Sequence, residues 1–318
     1  MTELPVRIYA GAHQSEALAL KVLEHSIKRH TTLPVEIQTI DNSLAPPVKD
    51  PRFLPYTNFS YGRFAIPKLA GYQGRAVYMD SDMIVFRDIE ELWNTPFNGA
   101  KVLVEEITPE TRSKGRLTAV MLLNCAELDW DLEEIVPRLG VDFDMNELMS
   151  VYPLVGEGEL QDKLPLGWNS LDEFTEHTRL LHYTKIKTQP WVYPAHELGY
   201  LWIDEVKMML ENGTLTPDFV REEVEKGHVR PSLLPELGLS DEFGGRTPTP
   251  RELLKYDKRA GYVIHEKLIG WMHERKMANL ALKEKADPEG FARWKRRTLL
   301  RNFLRHPVKF IRDPRKRL

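Results

Sequence analysis

A chain of 318 residues and 36.9 kDa, with 42% hydrophobic and 29% charged residues and a mean hydropathy of −0.41, has ordinary globular composition, which excludes disorder, a collagen-like fibre and a membrane-spanning bundle. No run approaches the ~20 apolar residues of a spanning helix, residues 1–5 do not read as a signal peptide, and the single Cys125 permits no internal disulfide, so a reducing compartment is expected. The formal net charge of −3 hides two opposed blocks: residues 293–318 carry 11 Lys and Arg against one acid, while the rest carry 33 basic and 46 acidic side chains. A basic tail on an acidic body suggests that something anionic is held at one end.

In chain order, Val6-Arg7-Ile8-Tyr9-Ala10 reads as a strand, Gly11 breaks it, and Ser15 is a candidate N-cap for a helix running to His30. Ala19, Val22, Leu23, Ser26 and Ile27 recur on one face of that helix, which predicts its burial. A second strand is expected over 35–40, and four prolines (Pro46, Pro47, Pro51, Pro55) mark an extended loop over 41–56. A helix-compatible stretch over 59–69 leads through Gly71 and Gly74 into a strand over 75–79. Alternating strands and helices open an α/β fold with a mostly parallel sheet. Strands are expected over 101–105 and 119–123, a short helix over 131–139, and a helix over 202–211 stopped by Asn212-Gly213. The Gly- and Pro-rich stretch 244–250 is the best linker, dividing a body of residues 1–245 from a helical C-terminal extension, 246–318, in which 260–282 reads as helix. No internal repeat is present, so a solenoid is not expected.

The most informative stretch is Val77-Tyr78-Met79-Asp80-Ser81-Asp82-Met83-Ile84-Val85-Phe86, where two carboxylates interrupt a run apolar enough for the middle of a parallel sheet. Desolvating unpaired carboxylates costs several kcal/mol each, so something positive should meet them. A hard divalent cation, Mn²⁺ or Mg²⁺, with a bound phosphate completing its shell, is the economical answer. The pair also falls at the carboxyl end of a strand, where open α/β sheets bind ligands. A solvated turn in which either aspartate caps the next segment is the bland alternative, and an aspartyl-phosphate hydrolase is another, weakened by Ile84 and by the pair's position on a later strand. A second constellation, residues 180–191, joins His182, able to ligate metal, to Lys185 and Lys187, able to meet phosphate, and to a Pro190-Trp191 corner. On its own, His182 reads as a structural histidine; beside Asp80 and Asp82 it is a third ligand.

Together these features resemble the family 8 glycosyltransferases of GT-A fold, over roughly residues 6–200. The resemblance rests on the strand, Gly and helix from Ile8 to Ile27, on Arg63 in Tyr61-Gly62-Arg63-Phe64, on Asp80-Ser81-Asp82 and on His182 to Trp191, in that order. Val120-Met121-Leu122-Leu123-Asn124 and Leu164-Pro165-Leu166-Gly167-Trp168-Asn169 look like two further family elements. The resemblance implies a Rossmann-like catalytic domain performing a retaining, Mn²⁺-assisted transfer of a glucose- or galactose-type hexose from a UDP-sugar to a glycan or lipid-linked acceptor. On that reading Asp80, Asp82 and His182 hold the ion. Arg63, Asp80, Ser81, Lys187 and Gln189 meet the donor, Ala10, Gly11 and His13 line its uracil and ribose site, and Glu159 is the candidate catalytic acid. Three departures from the family pattern stand out. Gln189 replaces the lysine before Pro-Trp, Leu117-Thr118-Ala119 replaces Asn-Ser-Gly, and Glu157-Gly158-Glu159-Leu160 alone represents the acidic Asp-Gln-Asp element. Those departures keep a second reading open, a catalytically silent binding module.

In the tail, Leu299, Leu300, Phe303 and Leu304 share a helix side flanked by Arg297, Arg301 and Arg305, and Phe310-Ile311 with Arg312, Arg315, Lys316 and Arg317 continue the mixture past Pro307. This fits an interfacial helix on an anionic membrane and a peripheral cytoplasmic location at the inner face of the membrane; docking on the acidic body is the alternative, and nucleic acid is the least expected partner.

Overall fold

The computed structural model describes residues 5–48, 50, 53, 54, 57, 59–106 and 118–305. The chain divides into two compact units, residues 1–47 with 55–266, and residues 48–54 with 267–318.

In the first unit the elements run β1 (Val6–Gly11), α1 (Ala17–His30), β2 (Val35–Ile40), α2 (Ile66–Leu69), β3 (Arg75–Asp80), β4 (Met83–Val85), α3 (Glu90–Trp93), β5 (Val102–Glu105) and β6 (Val120–Asn124). There follow α4 (Leu132–Ile135), α5 (Met145–Met149), β7 (Leu160–Leu164), β8 (Ser170–Leu171), β9 (Leu180–His182), α6 (Gly199–Glu211), α7 (Pro217–Glu225), α8 (Leu233–Glu236) and α9 (Pro250–Arg259). The large sheet has the order β2-β1-β3-β6-β5-β7. Strand β6 is antiparallel to β3 and β5, and the other pairings are parallel. Ala76 to Met79 and Val120 to Leu123 are buried throughout, the composition expected of strands covered on both faces. This is the mostly parallel α/β architecture that the sequence implies.

Helix α1 covers one face of the sheet with the expected residues Ala19, Val22, Leu23, Ser26 and Ile27, all buried. Ser26 belongs in that apolar stripe because its hydroxyl is satisfied twice, donating to the Leu23 carbonyl at 2.9 Å and accepting the Val85 N–H at 3.0 Å. The helix does not start at Ser15. A 3-10 turn, Gln14–Glu16, precedes it, and its N-cap is His13, whose Nδ1 accepts the Ser15 N–H while Glu16 reaches back to the His13 N–H at 2.7 Å.

The run over 77–86 is not one strand. After Asp80 the chain leaves the large sheet, and Met83–Val85 pairs antiparallel with β9 in a second sheet of order β4-β9-β8. The switch occurs within Ser81-Asp82, because the polar pair ends one apolar strand and starts the next. A second core, built on Tyr183, Trp191, Trp202, Val206 and Val220, packs α6 and α7 beneath this smaller sheet.

Two helical expectations change. Residues 59–69 form a 3-10 turn, Gly62–Ala65, followed by the short α2. Residues 260–282 are not continuous helix: α9 ends at Arg259, Gly261 (φ 73°) and His265 (φ 46°) turn the chain, and only then does α10 (Glu266–Ala286) begin. The capping box of Thr249 and Glu252 starts α9 just after the expected linker, and Ser232 ties α9 to the body through hydrogen bonds to Asp257 from both its N–H and its hydroxyl, each 2.8 Å.

The second unit contains α10, from residue 267 on, and α11 (Pro288–Arg305), joined at Asp287, whose carboxylate accepts the Gly290 N–H at 2.9 Å. In α11, Trp294, Leu300, Phe303 and Leu304 are exposed beside exposed Arg293, Arg296, Arg297 and Arg301. No helix of the described residues is long and apolar enough to cross a membrane. Leu117, and the tail residues from 306 on including Pro307, Phe310, Ile311, Arg312, Arg315, Lys316 and Arg317, lie outside the described residues.

Candidate functional site

The site grows from three chain segments that end at the same edge. Strands β1 and β3 run parallel with Gly11 opposite Asp80, and the Ser81 N–H donates to the Gly11 carbonyl at 2.9 Å. Strand β9 brings in the third segment, with His182 opposite Met83 and the Tyr183 N–H donating to the Asp82 carbonyl at 2.9 Å. Asp80, Asp82 and His182, separated by about a hundred residues of sequence, thus offer one ligand atom each within 4.8 Å of one another.

Each ligand is held by neighbours. His182 Nδ1 lies 2.9 Å from Asn169 Oδ1, which turns Nε2 toward Asp82 Oδ1, 3.1 Å away. Asn169 follows Gly167, whose φ of 92° only glycine adopts easily and where a Cβ would lie 2.2 Å from the His177 carbonyl. The same turn donates the Gly167 N–H to the buried Glu105 at 3.3 Å. Asp80 accepts the Tyr78 hydroxyl and lies 3.5 Å from Arg63 Nη2. Arg63 is buried, stacks over the Tyr78 ring at 4.4 Å and donates to the Thr118 carbonyl at 3.1 Å. Gly11 makes room for this arrangement, since a Cβ there would lie 2.7 Å from the Tyr78 hydroxyl and 2.5 Å from Phe59.

The electrostatics are those of a crowded acidic pocket. Burial raises the Asp80 carboxyl above its usual range against the opposing pull of Arg63, and Asp82 adds to the rise. Burial favours the neutral form of His182, but the Asp82 and Asp80 carboxylates outweigh it and raise the imidazole's affinity for a proton. A third acid, Glu16, sits against the pair: its carboxylate accepts the Ser81 hydroxyl at 3.3 Å, and burial with help from Asp82 and Asp80 pushes it from 4.5 to about 8. The donor set fits a hard divalent cation, because two carboxylates and an imidazole converge with ligand atoms within 4.8 Å, and Asp82 Oδ1, buried with no well-formed hydrogen bond, faces only the third ligand, His182 Nε2.

The other residues singled out from sequence fall in several places. Gln189 is buried beside the cluster and donates to Asp82 Oδ2 at 2.8 Å. Ser81 is buried between Gly11 and Glu16. His13 caps the turn that carries Glu16, and Ala10 is fully enclosed in the core below it. Lys187 is exposed on a turn, Ile186–Thr188, and Lys185 lies 3.8 Å from Asp172. Glu159 is not brought to the site. It precedes β7 at the end of the sheet opposite Asp80, where it pairs with Lys101 at 2.9 Å and accepts the Gly156 N–H at 2.6 Å. This corrects its assignment as catalytic acid: the Lys101 ion pair and the turn bond account for its carboxylate. Glu16, Asn169 and His265 escape sequence reasoning as site residues, Glu16 because an acid in a first helical turn reads as a cap, and His265 because a lone histidine carries no spacing signal.

The fold and site define an α/β domain with an acidic, histidine-bearing cluster at the carboxyl edge of its main sheet. Residues 6–129 match the family model described as Glycosyl transferase family 8, which bears out for that segment the resemblance read from the motifs. Protein CDI of Arabidopsis thaliana is 26% identical over 230 residues, 64% of this chain and 86% of the relative. Among solved structures, the WbbM bifunctional glycosyltransferase is similar with a TM-score of 0.48 at 16% identity, over 64% of this chain and 50% of that one. GlyE of Streptococcus pneumoniae TIGR4 gives 0.46 at 15%, over 63% of this chain and 60% of that one. The galactosyltransferase LgtC, solved in complex with donor and acceptor sugar analogs, gives 0.48 at 13%, over 69% of this chain and all of that one. The chain thus spans between half and three-fifths of the first two of these structures.

Proposed function

We propose that the chain is a retaining glycosyltransferase that uses a divalent cation, Mn²⁺ or Mg²⁺, to transfer a hexose from a UDP-sugar to a glycan or lipid-linked acceptor. The observation that carries this reading is the convergence of Asp80, Asp82 and His182 at the carboxyl edge of β3, where the buried Asp82 Oδ1 and His182 Nε2 lie 3.1 Å apart. When bound, the cation supplies charge neutralisation for a departing diphosphate. Arg63 fixes Asp80 and adds positive charge at the same edge, Asn169 orients His182, and Gly11 and His13 flank the cluster where the nucleoside would lie. Lys187 and Lys185, both exposed, are the cations available to a phosphate. With Glu159 at the far end of the sheet, the acceptor proton passes to a donor phosphate oxygen in this reading, so the chain need supply no strong base.

Calorimetry tests it: UDP binds in the presence of Mn²⁺ and not in its absence, and binding is lost in Asp82→Asn. Metal-independent binding of normal affinity in that variant refutes the metal assignment. A screen of UDP release against several UDP-sugars identifies the donor. No turnover with any donor, including slow hydrolysis without acceptor, favours the silent binding module instead. The exposed Trp294, Leu300 and Leu304 among arginines in α11 support an anionic membrane surface as a further partner of this reading.

A further inference from the structure

Gln189 and His265 form a buried pair behind the aspartates, and their hydrogen bonds leave one arrangement. Gln189 is 1% exposed and its amide nitrogen meets two acceptors, Asp82 Oδ2 at 2.8 Å and the Tyr183 carbonyl at 3.0 Å. Neither partner can donate if Asp82 is ionised, so both amide hydrogens are spoken for and the amide oxygen must point the other way. It points at His265 Nε2, 3.0 Å away. An amide oxygen accepts only, so His265 must carry its proton on Nε2.

His265 is held there at local cost. It is 3% exposed, its backbone has a left-handed φ of 46° that a non-glycine residue rarely adopts, and its Nδ1 is buried with no well-formed hydrogen bond, the Ile186 backbone being the other polar group at the ring. It sits after α9, 76 residues from Gln189 in sequence, at the end of the segment where the expected helix is broken. Burial drives its imidazole down to about 4, so it stays neutral near pH 7 and the tautomer, not charge, is what it contributes.

We infer that His265 is a positioning residue: its Nε2–H fixes the Gln189 amide, whose hydrogens then hold Asp82 Oδ2 and leave Oδ1, beside His182, to face the cation. The inference rests on the metal reading above. A turned amide would place its oxygen against the Asp82 carboxylate and the Tyr183 carbonyl, two acceptors facing an acceptor. Without the histidine, the amide oxygen is buried unsatisfied and the amide no longer has one preferred orientation. Outer-shell partners of metal ligands typically contribute about 10–100-fold in metal affinity.

The test uses the full chain without nucleotide. In protein labelled with ¹⁵N-histidine, His265 should show the neutral Nε2–H tautomer; an Nδ1–H tautomer overturns the inference whatever the variants do. Mn²⁺ binding, read from the signal of free Mn²⁺ by electron paramagnetic resonance, should weaken by up to about tenfold, the lower end for a direct partner of a ligand, in His265→Phe, which cannot donate, and recover substantially in His265→Gln, which can. Wild-type Mn²⁺ affinity in His265→Phe overturns the positioning role and leaves the metal reading standing. Equal losses in both variants also overturn it, because ring packing would then matter and the donated hydrogen would not. A wild-type chain that binds no Mn²⁺ overturns both readings. Thermal midpoints recorded alongside separate a structural loss, which moves stability but not affinity in the folded fraction.

Discussion

Replacing Glu16 by Gln should stabilise the metal-free protein, and increasingly so as pH rises. Glu16 is 6% exposed, accepts the His13 N–H and the Ser81 hydroxyl, and shares its pocket with Asp82 and Asp80, so its carboxyl stands at about 8 instead of 4.5. The folded protein therefore keeps a proton that the unfolded chain releases above pH 4.5. Stability from this group is complete below 4.5 and is lost as pH climbs toward 8, at about 1.4 kcal/mol per unit. By pH 7 the loss reaches about 3 kcal/mol. Glutamine retains an oxygen for both hydrogen bonds and cannot ionise. The stability gap between Glu16→Gln and the wild type, from urea unfolding at pH 5, 6 and 7, should therefore widen by roughly 1 kcal/mol or more per unit. Saturating Mn²⁺ should narrow the gap, because a cation beside Asp80 and Asp82 favours the charged carboxylate. A gap that is constant from pH 5 to 7 refutes the reasoning, since Glu16 would then be ionised in the folded state throughout.

Arg63→Met leaves the half-buried Asp80 without its cation and should destabilise the fold by about 1–3 kcal/mol in urea unfolding, with Asp80→Asn partly restoring it. Gly11→Ala should displace the Tyr78 hydroxyl or the Phe59 ring and weaken Mn²⁺-dependent UDP binding in calorimetry at least tenfold, whereas Gly213→Ala, at a position with open space, should leave that binding unchanged. Arg230→Met removes a 1% exposed guanidinium that donates to the Pro190 carbonyl at 3.0 Å and Ser232 Oγ at 2.7 Å and pairs with Glu236; a loss of about 3 kcal/mol in unfolding free energy is expected. Vesicles with anionic lipid should sediment the full chain but not the variant in which Arg293, Arg296, Arg297 and Arg301 are Gln, and salt should abolish the difference.

Much of the fold was legible in the sequence because one buried face leaves a period. The 35–40 strand falls on β2, and the stripe Ala19 to Ile27 is the buried side of α1, since apolar spacing at 3.6 residues has one solution when a sheet lies beneath it. Helix starts and stops were harder. His13 displaces Ser15 as cap because Glu16 can reach back to it, and Gly261 and His265 break an apparent helix that composition alone would continue. In the site, Asp80 and Asp82 were legible because charge inside an apolar run is conspicuous. The sequence by itself thus determined the layered α/β framework, the acidic pair and the basic, aromatic C-terminal helix, all of which are local patterns of hydrophobicity and charge. Only the tertiary structure decided that the pair marks a crossing from one sheet to another, that β9 brings His182 to it, that Glu159 stands at the far end, and that Glu16, Asn169, Gln189 and His265 close around it. Those are contacts between residues tens to more than a hundred positions apart, which depend on strand order and register and leave no period in the chain.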